Sequence, residues 1–340
     1  MGPLVAGVIL LFFMVKPMFA RRSRSRPLRT LQFGEEPLLF ALVTRIVLDC
    51  QANASAGSGS KMGVLLGNDL VLTIGLPLAA GMTIQQLAGV IAHELGHFSQ
   101  GAGMKLSFLI RSINAWFWRI VYERDDWDES LARGAEREDR FALLLLFSML
   151  CIWITRRVLW VLMLIGHGLS CFMLRRVEYD ADRYETRLAG SDVFKETTSK
   201  LIQVGVAADI AFSMADACWH KKGQLPEDLT ELIVAVCDRI PQAQLKAIES
   251  EMLKSKTGLF DSHPTHGERI ESARREKASG VFHFDGPATQ LFKDFSKTSR
   301  DVTMRFYREV LGKQASKKVM ISTASALAGG EDNRTNPILR

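Results

Sequence analysis

The 340-residue sequence predicts a mainly α-helical fold with a small β-sheet and membrane-associated helices. Three observations carry that prediction. Apolar residues recur at helical spacing through most of the chain. Two short β-branched runs stand ahead of residue 75. The hydrophobic content of 47% is above that of most soluble enzymes and its excess is concentrated in blocks.

The first block is Gly2–Val15, extended by Lys16-Pro17-Met18-Phe19-Ala20 and followed by the basic run Arg21–Arg26. A cleavable leader carries its positive charge before the apolar core, and here the charge follows it. Residues 1–20 are therefore expected to form a membrane anchor and 21–29 a basic juxtamembrane linker. Basic residues favour the cytoplasmic face, so the catalytic domain is expected on that side, at the inner membrane if the source is bacterial. The basic run suits anionic lipid. The net charge of +6 has no nucleic-acid motif beside it, so no nucleic-acid partner is expected.

Arg45–Asp49 and residues 70–74 read as strands, with the Ala/Ser/Gly-rich stretch Asn53–Lys61 as a loop between them. Residues 70–74 are a candidate edge along which an extended peptide could add as a strand. A plain structural hairpin is the other reading. Thr83-x-x-Gln86 forms a capping box for a helix whose apolar stripe is Leu87, Val90, Ile91 and Leu95 and which ends near Gly101.

On that helix stands His93-Glu94-Leu95-Gly96-His97, an H-E-x-x-H motif. Histidines four apart share a helix face and can reach one zinc ion, with Glu94 placed to take a proton from water. A third histidine at the elongated spacing would be residue 103, which is Gly103, so that class is excluded. A carboxylate from another helix is the remaining solution. The best candidate is Glu178, with Asp182 one turn on to accept the spare ring N–H of a ligand histidine. A surface acidic helix pairing with Arg175 and Arg176 is the competing reading. Five scattered cysteines without C-x-x-C fit a reducing compartment and a site free of thiolates.

His93-Glu94-Leu95-Gly96-His97 followed by Arg175-x-x-Glu178-Tyr179-x-Ala181-Asp182 resembles the membrane zinc peptidases typified by HtpX and the CAAX prenyl endopeptidase. Asn53-Ala54-Ser55-Ala56, Gly75-Leu76-Pro77-Leu78 and Ser262-His263-Pro264 with Arg269-Ile270 extend the resemblance over about residues 50–270. It implies a gluzincin core holding one Zn2+ per chain through His93, His97 and Glu178, with Glu94 as general base. It implies endopeptidase activity on membrane or misfolded proteins, and His263 facing the zinc to stabilise the oxyanion. Asn53 and Leu72 are the candidate substrate-binding residues. HtpX-type members carry two spans ahead of the zinc helix; here one apolar block precedes it.

Met104–Tyr122 reads as a basic amphipathic helix, lying on a membrane surface or packed in a core. Glu123–Arg140 is a charged connection. The second apolar block, residues 141–174, separates the histidines from Glu178, so it must cross a membrane an even number of times or not at all. A helical hairpin with Arg156-Arg157 at its tip is preferred over one long helix. The zinc peptidase domain is expected over residues 30–285. Gly190 ends the Glu178 helix, Ser191 caps the next, Pro226 opens another that Pro241 stops, and Pro264 starts a further one. A helical segment, 286–319, and a disordered tail, 320–340, follow. The rival to a peptidase is a membrane-bound scaffold or binding protein with a vestigial metal site. An intramembrane protease is disfavoured, because Gln85, Gln86, Ser99 and Gln100 flank the zinc helix.

Overall fold

The computed structural model describes residues 30–32, 34–57, 72–99, 113–114, 118, 142–316 and 319–331. The helices are α1 (Pro37–Gly57), α2 (Leu76–Gly81), α3 (Ile84–Ser99), α4 (Ala142–Ala189), α5 (Ser191–Lys222), α6 (Leu229–Cys237), α7 (Gln242–Lys254), α8 (His266–Glu276), α9 (Phe295–Leu311) and α10 (Thr323–Glu331). Two short strands, β1 (Leu225–Pro226) and β2 (Met320–Ile321), pair in parallel. The expected mainly helical fold with a small sheet is what forms. The chain divides into two compact units. One holds Ala102–Val177 and Gly258–His263. The other holds Leu28–Gly101, Glu178–Thr257 and Pro264–Arg340.

The second unit has two cores. Around α3, Ile84, Leu87, Ala88, Ile91, Ala92 and Leu95 pack with Leu39, Leu42 and Ile46 of α1. The spacing 39, 42, 46 is helical, and it overturns the strand expected at Arg45–Asp49. A five-residue β-branched run is too short to define a period, and burial along the longer segment decided for helix. α1 continues to Gly57, so Asn53 lies on its last turns and not in a loop; residues 58–71 lie outside the described residues. Residues 72–75 are irregular, so no edge strand forms there among the described residues. Leu72 packs partly buried against this core instead.

α5 supplies the second core with Val204, Ala207, Ala211 and Ala215, against Leu232, Ile233 and Val236 of α6. α4 and α5 are the two described helices long and apolar enough to cross a membrane. α5 presents Asp209 and Asp216 on its exposed face while its opposite face joins this core. Gly190 separates α4 from α5 at φ 103°, as the glycine reading requires. Ser191 does not cap α5; its hydroxyl donates to Ala273 O and accepts from Ala278 N. Pro226 sits in β1, and Asp228 caps α6 by accepting from Glu231 N at 3.0 Å. α6 ends at Cys237, and Pro241 precedes α7. α8 starts two residues after Pro264, capped by Thr265. Residues 320–331, where lost periodicity pointed to disorder, form β2 and α10 because Ala326 and Leu327 join the second core. Residues 332–340 lie outside the described residues.

The expected hairpin over 141–174 is also overturned. α4 runs unbroken for 48 residues, about 72 Å at the usual rise. Nothing at Arg156-Arg157 removes a backbone hydrogen bond, and Arg157 lies along the helix over the Trp153 ring, 5.3 Å from its centroid. In the first unit this helix exposes Trp153, Ile154, Val158, Val161, Leu162 and Ile165. Such a continuous apolar surface belongs in lipid or against another apolar partner.

Candidate active site

α3 is started by the capping box. Thr83 Oγ1 accepts from Gln86 N at 3.2 Å, and Gln86 Oε1 accepts from Thr83 N at 3.1 Å. Ile84 N donates to Gly286 O and Ala288 N to Met82 O, which fix the helix start against the 286–288 segment. With the apolar stripe buried on one side, His93 and His97 emerge together on another. Their ring centroids are 4.8 Å apart and nearly perpendicular. Glu94, one residue on from His93, is exposed to solvent.

The end of α4 lies close against α3 because both helices are small where they cross. A Cβ on Gly96 would stand 2.9 Å from the Tyr184 ring and 3.1 Å from Ala181 Cα. A Cβ on Gly89 would stand 3.2 Å from both Ala189 Cβ and Glu185 Cγ. Backbone cannot yield as a side chain does, so glycine at position 96 sets the helix separation.

That approach brings Glu178 to the histidines. His93 Nε2 lies 3.6 Å from Glu178 Oε2 and His97 Nε2 lies 3.9 Å from Glu178 Oε1. The three donor atoms fall within 4.8 Å of one another. These distances are too long for direct hydrogen bonds. They match the edge of a tetrahedron, about 3.4 Å when each ligand bond is about 2.1 Å. The donor set of two imidazoles and a carboxylate therefore fits one zinc-like cation with a position left open.

Behind His93 stand two further carboxylates. Asp182 Oδ1 is 3.0 Å from Nδ1, an ion-pair contact whose angle leaves the ring nitrogen without a linear hydrogen bond. Glu185 Oε2 is 3.8 Å away. Asp182 is itself held by Arg269 of α8, whose Nε donates to Oδ2 at 2.9 Å and whose guanidinium lies over Phe194 of α5. His93, Asp182 and Glu185 are also close enough to hold a cation. Arg269 already neutralises Asp182, so the Glu178 side is the better site. Sequence reasoning missed Glu185 and Arg269. Glu185 completes the 178, 182, 185 helix face and was legible by period; Arg269 carried no signal of its partner.

The charges set each other. Burial opposes a charge on His93, but Asp182, Glu178 and Glu185 outweigh it and push its pKa up to about 9. Burial would raise Glu178, but His93 and then His97 and Arg269 pull it down to about 2. Burial raises Glu185 to about 7. Burial and the neighbouring His93 hold His97 below its ordinary value. In the metal-free protein His93 thus keeps its proton at pH 7. Its stabilising contribution is full below 6.5 and fades as pH rises through about 9; that of Glu178 is present above 4.5 and fades as pH falls toward 2. Metal uptake at pH 7 is expected to release about one proton and to tighten with pH up to about 9. Calorimetry in buffers of different ionisation enthalpy measures the proton; zero release would show that His93 is neutral in the apo site.

The chain matches Peptidase family M48 over residues 31–277. It belongs to that family. The match spans α1 to α8 and so includes both helices of the site. This M48-family chain is 25% identical over 233 residues to a protein named Protease HtpX from Chromohalobacter salexigens, covering 66% of this chain and 64% of that relative. The chain thus spans under two thirds of the length of the curated relative it matches. No solved structure matches it. The family is one of peptidases, and α4 is long and apolar enough to cross a membrane.

Of the expected site residues, His93, His97, Glu178 and Asp182 meet in the second unit. His263 belongs to the first unit, in the Gly258–His263 segment. Asn53 lies on α1, and Leu72 packs against the α1–α3 core.

Proposed function

We propose that this M48 peptidase is a membrane-anchored, zinc-dependent endopeptidase with its catalytic domain on the cytoplasmic face, acting on membrane or misfolded proteins. The observation that carries the reading is the convergence of His93, His97 and Glu178 on a space of one ion. One Zn2+ held there lowers the pKa of a water molecule toward neutrality and polarises the scissile carbonyl. Glu94 takes the proton of the attacking water and returns it to the leaving amine. Asp182, fastened by Arg269, orients His93. His263 stabilises negative charge developing on the carbonyl oxygen. Asn53 and Leu72 contact substrate upstream of the zinc helix.

Membrane attachment uses residues 1–20, which lie outside the described residues, and the apolar part of α4. The test is the purified full chain in detergent with a denatured protein. One zinc per chain, cleavage abolished by chelator and restored by zinc are expected. Cleavage unaffected by complete metal removal would refute the reading.

A further inference from the structure

In the first unit α4 turns an apolar stripe outward. Val158, Leu162, Ile165, Leu169 and Phe172 are all exposed and lie alternately four and three residues apart. That spacing keeps them on one helix face. Arg176, four residues past Phe172, ends the stripe. Its guanidinium lies over the Phe172 ring, 5.7 Å from the centroid.

The adjoining face of the same helix, formed by His167, Cys171 and Arg175, carries the turn Gly258–Asp261. Arg175 Nη1 donates to Gly258 O at 3.2 Å, Leu259 O at 3.3 Å and Asp261 O at 2.7 Å. Cys171 Sγ donates to the remaining carbonyl, Phe260 O, at 3.2 Å. The Asp261 carboxylate is folded back and accepts from Gly258 N at 2.7 Å. Asp261 N donates to Gly258 O at 3.3 Å. The Phe260 ring stacks on His167 with centroids 5.6 Å apart, and its Cε1 is 3.8 Å from where a Cβ on Gly168 would stand. Leu169 of the stripe is the next residue, so turn and stripe meet in one apolar surface.

The turn keeps its polar atoms inward and its large side chains outward. All four carbonyls have donors, whereas Leu259 and Phe260 remain 68% and 47% exposed. Water satisfies the carbonyls of an exposed turn unaided, and it disfavours bare apolar side chains. An aqueous turn therefore gains little from this arrangement. Acyl chains offer no hydrogen bonds, so backbone at their edge must be paired within the protein. One guanidinium and one thiol supply that pairing. Cations beside aromatic and aliphatic side chains suit the level where headgroups meet acyl chains.

We propose that the Gly258–Asp261 turn is an interfacial membrane anchor: Leu259 and Phe260 enter the outer acyl-chain region of a bilayer beside the α4 stripe, and Arg176 meets anionic headgroups. The proposal rests on the reading that the α4 stripe faces lipid. The experiment uses the full chain reconstituted into vesicles of phosphatidylcholine and phosphatidylglycerol. Leu259→Trp and, separately, Leu162→Trp report by their fluorescence above that of the wild type. For Leu259→Trp the added emission should be lost when the acyl chains are brominated close to the headgroup, and it should resist aqueous iodide. If that variant fails to fold, Phe260→Trp, which keeps a ring on His167, takes its place. Bromine quenching should weaken in phosphatidylcholine alone, and Arg176→Gln should abolish that difference; equal quenching in both lipid mixtures before that substitution would overturn the headgroup contact. Quenching of Leu259→Trp by iodide and not by brominated lipid, with Leu162→Trp quenched by brominated lipid, would overturn the anchor. Shielding from iodide by added unfolded casein, without bromine quenching, would make the turn a polypeptide surface and overturn it equally. Iodide quenching of Leu162→Trp would instead refute the lipid-facing stripe, so the two failures are told apart.

Discussion

Replacing Glu94 by Gln is expected to leave zinc in place and to lower kcat about 10²–10⁴-fold, the usual contribution of a positioned general base. The expectation follows from geometry. Glu94 is exposed beside His93 and the half-buried His97, and its carboxylate is not among the three atoms that converge on the ion position. Gln is isosteric and neutral, so the α3–α4 contact through Gly96 and the ligand set are untouched, while the proton acceptor is gone. Metal analysis and the rate on denatured protein give the two readouts. Full proteolysis by the Gln variant would mean that another group takes the proton.

Replacing Glu178 by Ala is expected to do the reverse, removing the metal and with it all turnover. Two histidines alone leave the site one ligand short. The affinity should fall more than about 100-fold, beyond the 10–100-fold typical of losing a residue that merely orients a ligand. The variant also leaves His93 without the carboxylate 3.6 Å from its Nε2. The metal-free pKa of about 9 should then drop, and proton release on metal binding should shrink with it. Zinc stoichiometry after dialysis is the decisive measurement. An unchanged value of one per chain would remove Glu178 from the ligand set.

The site was more legible than the chain that carries it. His93, Glu94 and His97 are readable because their spacing on one helix needs no knowledge of the rest of the fold, and Thr83-x-x-Gln86 marks where that helix begins. Glu178 and Asp182 are readable for the same reason, as a second local face. The errors fall where a short window meets a competing tertiary context. Arg45–Asp49 has the composition of a strand, yet Leu39, Leu42 and Ile46 found a core only as a helix. Arg156-Arg157 resembles a hairpin tip, yet charge alone does not break a helix, and the arginines stay in register. Pro226 and Pro264 mark the approach to helices, but the caps are Asp228 and Thr265.

The amino-acid order by itself determined which residues can bind a cation and which helix faces present them, because ligand type and i, i+4 spacing are local properties. Only the tertiary structure decided that the two faces meet. That depends on Gly89 and Gly96 opposing Ala189 and Ala181 across a helix contact, and on Arg269 arriving from a third helix to neutralise Asp182. Close packing is a property of surfaces brought together from distant parts of the chain, and no spacing within one segment encodes its partner.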